Sequence, residues 1–61
     1  MKSASIENIV ANEYQKSTYV VMADRILTEG ELYSAIRLDI KKRGVHLAKG
    51  ERRVITAPPA A

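Results

Sequence analysis

The stretch Thr28-Glu29-Gly30-Glu31 fixes a helix start more firmly than anything else in the chain fixes structure. The Thr28 hydroxyl can accept the Glu31 backbone N–H while the Glu31 carboxylate reaches back to the Thr28 N–H. Two donors left over at a helix N-terminus are thereby satisfied together. Leu32, Ala35, Ile36 and Ile40 then recur at helical spacing and share one face. Glu29 and Glu31 complement the positive end of the macrodipole, and Lys41, Lys42 and Arg43 complement the negative end. Gly44 offers the left-handed residue that commonly closes a helix. The spacing predicts a helix over 29–43, and the remaining segments must be arranged around it.

Beyond Gly44 the period changes. Val45-His46-Leu47 and Arg52-Arg53-Val54-Ile55-Thr56 alternate short apolar with polar residues, and Ala48-Lys49-Gly50-Glu51 separates them. That pattern predicts a β-hairpin over about 45–56 with Lys49-Gly50 as its turn. The end, Ala57-Pro58-Pro59-Ala60-Ala61, has no apolar pattern to bury. Before the central helix, Ile6, Ile9, Val10 and Tyr14 fall on one helical face, which predicts an N-terminal helix over 5–15. Residues 18–26 are ambiguous, because Thr18-Tyr19-Val20-Val21-Met22 suits a strand yet a helical stripe also runs through Ile26 and Leu27. The expected class is α+β, one small domain over 1–57 with a flexible Pro/Ala tail over 58–61.

Composition limits what such a domain can do. A chain of 61 residues buries only about 60 per cent of the surface its unfolded form exposes, which leaves little room for a deep cleft. With no Phe, Trp or Cys, the core must be aliphatic and filled out by tyrosine, and neither a disulfide nor a cysteine-bound metal can staple it. Association with a second copy, or with a larger assembly, is therefore expected. Cysteine-free composition favours a reducing compartment, and charged Glu7 and Glu13 interrupt the apolar N-terminal stretch. A cytoplasmic location without a membrane anchor is the expectation.

The chemistry for catalysis is sparse. His46 is the one imidazole and there is no thiol. Gly30, Gly44 and Gly50 are isolated, so no phosphate-cradling loop exists. Capping and dipole roles already account for Glu29 and Glu31. No enzyme, cofactor or metal site is expected.

Charge is the informative feature. Residues 1–40 hold four basic side chains against six acidic ones, whereas 41–61 hold six, Lys41, Lys42, Arg43, Lys49, Arg52 and Arg53, against Glu51 alone. Such a patch attracts polyanions, and these six with His46 as a further contact are the candidate nucleic-acid-binding residues of a small regulatory protein. The bland reading is that lysines at a helix end complement its dipole and charges on a hairpin guard an edge. The competing function is a protein-interaction subunit or inhibitor whose apolar segment, Tyr14, Tyr19, Val20, Val21 and Met22, docks on a larger partner.

Two resemblances bear on these readings. The run from Ile40 through Gly44 and Gly50 to Ile55 resembles the helix end and wing of small winged-helix DNA-binding modules such as phage excisionases. That resemblance implies a DNA-contacting wing. The run from Ser5 to Arg25 is similar to the opening helices of the omega subunit of bacterial RNA polymerase, which implies docking on a transcription complex.

Overall fold

The computed structural model describes residues 5–44 and 47–58. Three strands and one helix follow in the order β1 (Ile6–Asn12), β2 (Ser17–Ala23), α1 (Glu29–Arg43) and β3 (Arg52–Thr56). The strands form one mixed sheet, β1-β2-β3, in which β1 runs antiparallel and β3 parallel to β2. The α+β class is as expected, with α1 lying across one face of the sheet.

The helix spans the residues its sequence signals mark. Thr28 Oγ1 accepts the Glu31 N–H at 3.3 Å, and Glu31 Oε1 accepts the Thr28 N–H at 2.9 Å. At the other end the Gly44 N–H donates to Ile40 O at 2.8 Å, and φ of 93° at Gly44 is a conformation an L side chain resists. The stripe facing the sheet is Leu32, Ala35, Ile36 and Asp39, and Ile40 is half-buried beside it.

The expected N-terminal helix over 5–15 is a strand instead. Local spacing of Ile6, Ile9 and Val10 suits a helix, but β-branched side chains suit a pleated surface equally, and β2 supplies the pairing edge that decides between them. Residues 17–23 resolve as the central strand, the most deeply buried part of the molecule. Tyr19, Val20 and Val21 are each less than a tenth exposed. The omega-like opening helices are therefore absent.

Among the described residues the expected hairpin over 45–56 also does not form. A turn does occur at Lys49-Gly50, where the Glu51 N–H reaches Ala48 O at 2.9 Å and Gly50 takes φ of 80°. Leu47 and Ala48, however, are not strand, and Val45 and His46 lie outside the described residues. The helix has carried the chain back along the sheet, so β3 pairs parallel with β2 in a β-α-β crossover. With a single helix and no hairpin wing among the described residues, the winged-helix arrangement is absent too. Of the tail, only Pro58 is described.

Asn8 locks the connection between β2 and α1. It is 7 % exposed, its Nδ2 donates to the carbonyls of Ile6, Val21 and Arg25, and its Oδ1 accepts the Leu27 N–H at 2.8 Å. A buried amide is tolerated because both its atoms are satisfied, and it seats Leu27 in the core.

Candidate functional site

The topology turns a charge asymmetry along the sequence into one across space. Since α1 runs opposite to β2 and β3, the turn between β1 and β2, the end of α1, the Lys49-Gly50 turn and the start of β3 meet at one end. A bond from the Gly50 N–H to Gln15 O at 3.1 Å ties the two turns together. Lys16, Lys41, Lys42, Arg43, Lys49, Arg52 and Arg53 stand at or near this end, against Glu13, Asp39 and Glu51. The opposite end carries Glu7, Asp24, Glu29 and Glu31 against Arg25.

Lys16 escapes a reading of the sequence because a helix over 5–15 gives it no place near the basic residues. The signal that finds it is Asn12 four positions earlier. Asn12 Oδ1 accepts the Tyr14 and Gln15 N–H groups at 3.1 and 3.3 Å, which shapes the turn that ends in Lys16 at φ of 58°.

The six expected basic residues differ in what holds them. Lys41, Lys42 and Lys49 are exposed and form no ion pair among the described residues. Arg43 reaches Asp39 at 3.2 Å, and Arg52 reaches Glu7 at 3.7 Å, both with more than half of their side chains exposed. Arg53 is different. Its side chain is 12 % exposed, its Nη1 donates to Asp39 at 3.0 Å, its Nε donates to Glu51 at 3.2 Å, and its guanidinium lies 5.8 Å from the centre of the Tyr19 ring. His46 lies outside the described residues.

Asp39 is the hub of this cluster. Its Oδ2 accepts the Tyr19 hydroxyl at 2.7 Å as well as Arg53, and its side chain is 6 % exposed. Burial works against the charge, but the Tyr19 hydroxyl, Arg53 and Arg43 together outweigh it and hold the carboxyl below its ordinary value. Tyr19 is pushed up, first by burial and then by Asp39. Arg53 is held more firmly protonated by Asp39. The cluster is a satisfied structural network, which removes Arg53 from the accessible cations. Asp39 occupies the core-facing position three residues after Ile36, the position at which helical spacing would have marked it.

Beside the cluster, an open groove of about 370 Å³ runs between the second half of α1 and the outer edge of β3. Leu38, Lys42, Arg43, Val54 and Thr56 are among the residues lining it. This edge of β3 is unpaired among the described residues, so backbone donors face the same groove as two cations.

The apolar residues expected to dock on a partner separate as well. Tyr19 and Val21 belong to the chain's own core, and Val20 is 1 % exposed, so none of the three is open to a partner in the folded chain. Met22 is half-buried on the sheet face away from the helix, and Tyr14 is 94 % exposed at the turn beside Lys16. Among the described residues no group of three His, Cys, Asp or Glu side chains could hold a metal ion. No helix among them is long and apolar enough to cross a membrane.

No family model, curated protein or solved structure matches this chain.

Proposed function

We propose that the chain is a small, non-enzymatic nucleic-acid-binding regulator of the cytoplasm that works with a second copy or within a larger assembly. Its basic end, Lys16, Lys41, Lys42, Arg43, Lys49 and Arg52, faces phosphates. The observation that carries this reading is the gathering of cations from four separate segments at one end. Dipole complementation accounts for the three at the helix end but not for Lys16, Lys49 or Arg52. Arg53 supports the site from within by holding Asp39 and Glu51, and makes no phosphate contact.

Tyr14 adds an aromatic face next to Lys16. Stacking on an exposed ring favours unpaired bases, so single strands bind more tightly than duplex. The alternative, docking on a larger protein, retains only Tyr14 and the half-buried Met22 of its expected residues and draws its support from the exposure of Tyr14.

Fluorescence anisotropy with labelled single- and double-stranded DNA and RNA, between about 50 and 200 mM salt, tests the proposal. Log K is expected to fall linearly with log salt. Replacing Lys41, Lys42 and Lys49 with Gln should flatten the slope by about two units, with only the small loss of thermal stability that two fewer cations at the helix C-terminus bring. Absence of binding at low salt overturns it.

A further inference from the structure

The sheet has a second face that α1 does not cover. Alternation along the strands places Glu7, Ile9 and Ala11 of β1, Thr18, Val20 and Met22 of β2, and Arg52, Val54 and Thr56 of β3 on it. The register sets these nine residues in three rows. Ala11-Thr18-Arg52 forms one row, Ile9-Val20-Val54 the middle row, and Glu7-Met22-Thr56 the third. The middle row is wholly apolar. Ile9 and Val54 at its two ends are 60 % and 55 % exposed, and among the described residues no element packs over them.

The charges on this face are arranged as a pair of opposites. Glu7 and Arg52 occupy diagonal corners, and the line between them passes over Val20. Within one chain they meet at 3.7 Å, with side chains 53 % and 61 % exposed. Val20 beneath that line is 1 % exposed, and both charged groups remain accessible to a second partner. Every other residue of the face is apolar or a threonine, so the diagonal is its entire formal charge.

We propose that this face is an interface between two copies of the chain, packed sheet to sheet about a two-fold axis that lies in the interface over Val20, perpendicular to the Glu7–Arg52 diagonal. That axis sets Arg52 of each copy over Glu7 of the other and lays the two Ile9-Val20-Val54 rows across each other. An isologous interface must be self-complementary, and a positive corner diagonal to a negative one meets that condition. The product is a helix-sheet-sheet-helix sandwich, in which Ile9 and Val54, the exposed ends of the apolar row, leave water and the ion pairs exchange from within each chain to between chains. This inference does not depend on nucleic-acid binding, since the basic end lies at the edge of the interface and only Arg52 belongs to both.

Sedimentation equilibrium of the purified chain, free of nucleic acid, tests the proposal. The wild type is expected to dimerise. Glu7→Arg alone and Arg52→Glu alone each set like charges against one another in a self-pair and should weaken dimerisation more than tenfold. Mixing the two variants in equal amounts restores opposite charges at both contacts across the interface, although neither variant regains its own internal pair. Recovery of dimer in the mixture is therefore the expected and diagnostic result. Ile9→Lys should give a folded monomer by circular dichroism, since Ile9 is exposed in the single chain. A wild type that stays monomeric to about 1 mM overturns the proposal. So does a mixture that fails to associate, or a dimer indifferent to Ile9→Lys, which would place the contact elsewhere, such as the edge of β3.

Discussion

Arg52 and Arg53 are neighbours in sequence and opposites in structure. Strand alternation sends Arg53 to the face under the helix, where Asp39, Glu51 and the Tyr19 ring enclose it. It sends Arg52 to the uncovered face, where a long contact to Glu7 leaves its side chain 61 % exposed. One residue of displacement along a strand separates a cation that organises the fold from a cation that can meet a partner. The same division holds for the two faces as a whole. One is closed by a helix and satisfied by an internal network, and the other presents an apolar row flanked by one pair of charges.

The sharpest way to break this comparison is to remove the hub of the closed face. Asp39→Ala leaves Arg53 without its buried counter-charge and should cost about 3 kcal/mol in urea denaturation. Arg52→Gln should cost less than about 0.5 kcal/mol in the single chain. Equal effects would erase the distinction between the faces. Asn8→Ala comes next, at about 2 kcal/mol, because it strands the Leu27 N–H and opens the join between β2 and α1.

Acid acts on the carboxylates that the fold holds ionised. The Thr28 N–H, followed by Arg25, lowers Glu31 to about 2, and Asp39 also lies below its ordinary value. Both bind protons more weakly in the folded than in the unfolded chain. Their contribution is complete above the ordinary carboxylate range near 4 and is lost as pH falls from there toward about 2. Thermal melts from pH 7 downward should show a plateau, then a decline that Asp39→Ala makes shallower. Removing the Ser17 hydroxyl acts with the opposite sign. Ser17 is 1 % exposed and its hydroxyl has no hydrogen-bond partner among the described residues, so Ser17→Ala should leave stability unchanged or raise it by about 1 kcal/mol.

What the sequence discloses about the fold follows how local each signal is. The capping box, basic end and Gly44 act within one helix, and the helix lies where they put it. The turn at Lys49-Gly50 is likewise a local matter. Strand partners are not. Nothing within 52–56 says whether it pairs with residues just before it or with β2 across the helix. Nothing within 6–12 says that its β-branched residues will meet a partner strand rather than coil. The candidate site shows the same split. Clustering of Lys41, Lys42, Arg43, Lys49 and Arg52 is readable because they are close in sequence, whereas the joining of Lys16 to them, and the withdrawal of Arg53, depend on the parallel crossover.

The end built by these segments is the proposed phosphate-binding site. Backbone amide chemical shifts followed during titration with a short single-stranded oligonucleotide test it most directly. Perturbations are expected at Lys16, at Lys41–Gly44 and at Lys49–Arg52, fading as salt is raised, with Asp24–Glu31 at the acidic end unmoved. Shifts centred on that acidic end, or no shifts at low salt, would contradict the account.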